Sequence, residues 1–121
     1  MAMPQKILRL IFWSTLVLFL VVSSIPDDTV NQALQSEELD FRLDYVLHFI
    51  AYLIIGSLAA MAYKPNIRLF LLLVLFAVAE EGHQYWIPGR SMNPVDFLYD
   101  VLGITVGLTG IYLFKRLSQK R

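Results

Sequence analysis

The sequence predicts an all-α, polytopic membrane protein with four transmembrane helices and both termini in the cytoplasm. Composition is the first reason. Of the 121 residues, 57% are hydrophobic and 17% charged, and the mean hydropathy is +0.59, too apolar for a soluble domain of this size. The second reason is a recurrence of four apolar runs separated by short polar segments. The third is charge segregation. In a four-span layout Lys6, Arg9, Lys64, Arg68, Lys115, Arg116, Lys120 and Arg121 fall on one side. All of the acidic residues fall on the other, with only Arg42 and Arg90 among them. The positive-inside rule assigns the basic side to the cytoplasm. No basic surface for nucleic acid is left, and with no cysteine, disulfides and thiolate chemistry are excluded.

Each span has its own justification. Lys6 and Arg9 precede the run Leu10 to Ile25, which with Ile7 and Leu8 is long enough to cross the ~30 Å hydrocarbon layer. A basic start and an apolar core also suit a cleaved signal peptide. The core is long for one, however, and Ser23-Ser24 lacks a small-x-small site, so a retained anchor is expected. Residues 26–44 are expected to form an extracytoplasmic loop, rich in acids and stopped from the first span by Pro26. Within it, a short surface helix across Thr29 to Leu39 is compatible with the pattern.

The second span is expected over Tyr45 to Tyr63. Asp44, His48 and Tyr52 recur at i, i+4 and i+8 and drift only about 40° around the axis. Gly56, Ala59, Ala60 and Tyr63 extend a small-residue flank on that side. Lys64-Pro65-Asn66 then forces a tight antiparallel return. The third run, Ile67 to Ala79, covers only about 18 Å. Its helix is therefore expected to continue through Glu80 and Glu81 toward Tyr85-Trp86, whose rings suit the interfacial belt.

The last span opens with Asn93 as an N-cap, Pro94 at the first helical position and Asp96 two residues later. Capping accounts for Asp96 but not for Asp100, one turn deeper. Gly103, Gly107 and Gly110 continue that face, so another helix can approach closely, within the chain or between chains. The helix is expected to end at Lys115-Arg116.

Depth along the helices organises the polar residues. His48 lies about 22 Å from the cytoplasmic turn, Glu80 about 21 Å and Asp100 about 21 Å from the last helix end. Three helices thus bring an ionisable side chain to one level, where an unpaired charge costs several kcal/mol. The expected site is an outward polar pocket. His48, Glu81, Asp100 and Asp44 are the candidate catalytic groups, with Asp44 orienting the imidazole for acid–base work. Arg90, Tyr52, Gln84 and Asp96 are the candidate substrate contacts. Arg90 suits a lipid phosphate, or a pairing with Asp96 or Glu81. Adjacent residues point about 100° apart, so Glu81 and Gln84 are expected inward, and Glu80 and His83 at the rim or a neighbouring helix. No motif requires a cofactor. If a divalent cation binds, Asp44, His48, Glu81 and Asp100 are its ligands. Two bland readings stand beside these. The cluster can simply lock the helices together, or conduct ions, although no ionisable partner lies below it in the cytoplasmic half.

Three segments carry a family resemblance: DYVLHFIAY (Asp44, His48, Phe49, Tyr52), EGHQYWIPGRS (Glu81, Gln84, Pro88, Gly89, Arg90) and DFLYDVLG (Asp96, Asp100, Gly103). They resemble the D-x-x-x-H-F-x-x-Y, E-x-x-Q with P-G-R, and D-x-x-x-N-x-x-G motifs of the VanZ-like family of small bacterial membrane proteins. The resemblance covers about residues 40–110 and implies a single domain over 1–121 in the bacterial cytoplasmic membrane. It further implies an envelope role on the outer face, with a membrane lipid or lipid-linked glycan as partner, related to resistance to teicoplanin-type glycopeptides. Two positions depart from the family pattern. Tyr45 replaces a common lysine, and Asp100 replaces the asparagine, which adds a negative charge to the pocket.

Overall fold

The computed structural model describes residues 3–24, 40–83, 86 and 94–119, with the backbone alone for 40–44. Among these residues are four helices and no strand: α1 (Gln5–Ser23), α2 (Asp40–Ala62), α3 (Ile67–His83) and α4 (Pro94–Gln119). Three of them, α1, α2 from Tyr45 and α4, are long and apolar enough to cross a membrane. With 17 residues, α3 is about 26 Å long, short of the ~30 Å layer.

The helix ends follow from local chemistry. Ser24 closes α1 by donating its N–H to the carbonyls of Leu20 and Val21. Residues 40–44, expected as the end of the polar loop, are helical and belong to α2. Nothing between Asp40 and Tyr45 breaks a helix, since the stretch holds neither glycine nor proline. Backbone bonding therefore runs on past the apolar stretch. α2 stops ahead of Lys64-Pro65, where the residue before proline is pushed out of helical geometry. Asn66 then caps α3, its Oδ1 accepting the Leu69 N–H at 2.9 Å. Pro94 opens α4, where its missing N–H costs nothing. α4 runs to Gln119, beyond the expected stop at Lys115-Arg116, because Leu117 and Ser118 do nothing to end it. The proposed surface helix at Thr29–Leu39 and the Asn93 cap lie outside the described residues.

α2 is the hub. It packs most extensively on α4 and also receives α1, while α3 packs on α4. The α2–α4 contact is made backbone to backbone. A Cβ on Gly103 would stand 2.6 Å from the Phe49 carbonyl oxygen and 2.9 Å from the Leu53 nitrogen. One on Gly107 would stand 2.7 Å from the Leu53 carbonyl oxygen. Gly56 of α2 returns the fit against Ile104. Gly110 does not belong to this face: it is exposed, and a Cβ there would meet nothing within 4 Å. The close approach thus serves packing within the chain and fades one turn after Gly107.

The buried core is thin. Leu8, Phe12 and Leu16 come from α1, Tyr52, Ile55, Ala59 and Ala60 from α2, Leu73 and Ala77 from α3, and Ile104 and Leu108 from α4. Large apolar side chains such as Leu10, Leu18, Leu72, Leu75, Leu98 and Phe114 face outward. Such continuous apolar exposure around helices with ionisable interiors is the profile of a membrane protein.

At one end of the bundle the guanidinium of Arg9 stacks 4.9 Å from the centre of the Tyr63 ring. The Trp13 indole N–H donates to Tyr63 Oη at 2.9 Å, and Lys115 donates to the Ala60 carbonyl. These contacts gather the start of α1, the end of α2 and the end of α4. His48, Glu80, Glu81, Asp96 and Asp100 lie toward the opposite end.

Candidate functional site

His48 and Tyr52 sit one turn apart on α2, and Asp96 and Asp100 one turn apart on α4. Spacing of four residues keeps each pair on one face. The glycine contact sets the distance between the two faces. Gly103 abuts the backbone of Phe49, so Asp100, one turn before it, is brought against His48, the neighbour of Phe49. His48 Nδ1 and Asp100 Oδ1 are 2.7 Å apart. The other ring nitrogen, Nε2, lies 3.9 Å from Asp96 Oδ2. From α3, Glu80 accepts a long hydrogen bond from the Tyr52 hydroxyl at 3.4 Å.

His48, Glu80, Glu81 and Asp100 each offer a ligand atom, and these four atoms all lie within 4.8 Å of one another. All four residues are buried. Asp100 is 0% and Glu80 1% exposed, and His48 and Glu81 are each 7% exposed. The buried acidic residues and histidine among those described are these four and Asp96. Below them the Tyr52 ring meets Phe19 edge-on at 5.2 Å and lies near Phe76 at 6.3 Å. Ile55 and Ile104 complete that floor, both fully buried. The cluster is therefore closed toward the Lys115 end. At the same end as the cluster, Tyr45 and Tyr99 stack with ring centres 5.0 Å apart.

The groups expected at one depth therefore meet, but with one change of cast. Glu80 belongs with Glu81 in the interior, against the expectation that only one of them turns inward. The reason is reach. Two adjacent glutamates straddle the line of contact, and each side chain bends toward it from its own flank, Glu80 toward Tyr52 of α2. The burial pattern gives the helix phase that places both inside. Leu73, Ala77, Glu80 and Glu81 are the buried set of α3, an i, i+4, i+7, i+8 stripe. His83, expected at the rim with Glu80, is half-buried, and its Nδ1 has no hydrogen-bond partner among the described residues. The side chain of Asp44, and Gln84 and Arg90, lie outside the described residues.

The family model described as VanZ/LLP1 matches residues 3–115, nearly the whole chain. The chain belongs to the VanZ/LLP1 family. No curated protein and no solved structure matches it. In this VanZ/LLP1 chain the departure at Asp100 falls at the centre of the cluster. An asparagine would present an oxygen to His48 in the same place, so the aspartate changes the charge of the contact and leaves its shape.

Proposed function

We propose that this chain spans the membrane four times with both termini in the cytoplasm, and that its buried cluster is the working site for an amphiphilic molecule of the bacterial envelope. The molecule is a lipid headgroup or a lipid-linked glycan, met from the outer face. One observation carries this reading: three helices pack four ionisable side chains together, buried, at one end of an otherwise apolar bundle. Ionisable groups in membrane helices are costly and mark sites of binding or proton transfer. His48 and Asp100 form an acid–base pair at 2.7 Å, Glu80 and Glu81 add carboxylates beside it, and Arg90 of the PGR motif supplies a cation for a phosphate. The resemblance to the teicoplanin-associated family favours an envelope substrate and a link to glycopeptide resistance. For α3 to span, the layer must thin locally or the helix be extended by the residues that follow, a modest cost per ångström.

The test is native mass spectrometry of tag-free protein in discs of native lipid. A defined lipid should be retained by the wild type and lost from Arg90→Gln and from Asp100→Asn, while helical content is kept. Retention of bulk lipid alone, equal in all three, would sink the reading. A second reading has its own observation. The His48–Asp100 and Tyr52–Glu80 hydrogen bonds tie α2 to α4 and to α3, which suits a non-catalytic accessory protein whose polar cluster is a clamp. In that case the same substitutions lower stability and leave lipid selectivity unchanged.

A further inference from the structure

We infer that His48, Glu80, Glu81 and Asp100 bind a single divalent transition-metal ion. The inference goes beyond the envelope-molecule reading and stands without it. Geometry comes first. Around one ion, with bonds to nitrogen and oxygen of about 2.1 Å, ligand atoms stand about 3.4 Å apart in a tetrahedral shell and at most about 4.2 Å apart in a six-coordinate one. The four ligand atoms already lie within 4.8 Å of one another, so side-chain rotations that move the outlying atoms by about an ångström close them on an ion. They come from three different helices, an arrangement that gathers ligands around a point as no run on a single helix can.

The donor set defines the class of ion. One imidazole and three carboxylates suit zinc, cobalt, manganese or iron in the divalent state. Calcium and magnesium prefer oxygen alone, and copper(I) prefers the thiolates this chain lacks. The medium strengthens the case. Three carboxylates among the four groups carry a formal charge of −3 when ionised, and a dication lowers that to −1 inside an apolar bundle. Glu80, which the helix phase places inside and no cap accounts for, then has a role as a ligand.

The two nitrogens of His48 divide the work. Nδ1 faces Asp100 within the quartet, so it is the nitrogen that meets the ion. The proton then resides on Nε2, which faces Asp96 Oδ2 at 3.9 Å. Asp96, beyond hydrogen-bond distance in this arrangement, becomes the carboxylate that orients the imidazole once the pair closes on the bound ion, a positioning residue outside the ligand set. Because Nδ1 must carry a lone pair, binding releases protons and weakens as pH falls.

The experiment uses the full chain, tag-free, in detergent, stripped by chelator and then given zinc or cobalt alone. Retained metal is counted by elemental mass spectrometry after desalting. We expect about one equivalent in the wild type and none in the Glu80→Gln/Asp100→Asn double variant, with Asp96→Asn binding 10- to 100-fold more weakly. Should the double variant not fold, X-ray absorption on the wild type with zinc decides. A nitrogen and oxygen shell at about 2.0–2.2 Å with imidazole scattering supports the site. No retained metal in the folded wild type, or equal retention in a folded double variant, overturns it. Lipid retention is read separately, so metal without a selected lipid sinks only the envelope reading, and a selected lipid without metal sinks only this one.

Discussion

The two ends of the bundle handle charge in opposite ways. At the Tyr63 end, Arg9 lies over an aromatic ring and Lys115 reaches a backbone carbonyl, so each cation is held singly near the surface. At the other end His48, Glu80, Glu81, Asp96 and Asp100 are buried together. Long basic side chains can bury their stems and keep the charge in the interfacial region. Short aspartates and a histidine on facing helices have no such escape and must satisfy one another. The comparison teaches that the first end is arranged for anchoring and the second for mutual interaction, where removing one member strands the rest.

Breaking the buried end should have the largest effect. Asp100→Ala removes the partner of His48 at a position with no exposure, and loss of one member of a buried charged pair costs about 3–5 kcal/mol. Thermal unfolding in detergent should show a collapse in Asp100→Ala and only a fraction of it in Asp100→Asn. Equal melting of the two would mean that the His48 contact contributes nothing.

Next comes the spacing that holds the buried end together. Gly103→Ala places a Cβ 2.6 Å from the Phe49 carbonyl oxygen. Overpacking of that kind costs about 1–3 kcal/mol. Gly110→Ala meets nothing and should gain up to about 1 kcal/mol of helix propensity. Opposite signs of the melting shift on one helix would sharpen the contrast; parallel shifts would undo the assignment of Gly103 to the contact.

A smaller loss is expected for Tyr52→Phe, which deletes a hydroxyl donating to Glu80 across 3.4 Å. The loss should be about 1 kcal/mol, read from the same melts, with no change at 1 M salt because the pair is buried. The smallest effect belongs to the exposed end. Arg9→Gln removes a cation over the Tyr63 ring, worth about 0.5–1 kcal/mol at an exposed site. That difference should shrink in high salt, and its persistence there would argue that the Arg9 end is shielded from solvent.

Much of this molecule was legible in its sequence, because helix formation and charge segregation are nearly local properties. Pro94 marked the start of α4, Lys64-Pro65 the end of α2, and the distribution of lysine and arginine the two ends. The convergence of His48 and Asp100 could be anticipated by counting 1.5 Å steps from the helix ends. The helicity of residues 40–44 was not legible from hydropathy, since Asp40, Arg42 and Asp44 interrupt the apolar pattern there. Tertiary structure alone decided that Glu80 joins Glu81, and that Gly103 and Gly107, but not Gly110, carry the close approach. Both depend on how far each helix is rotated about its axis and where its neighbour crosses it. Packing of all the helices sets that rotation, and no window of sequence contains it.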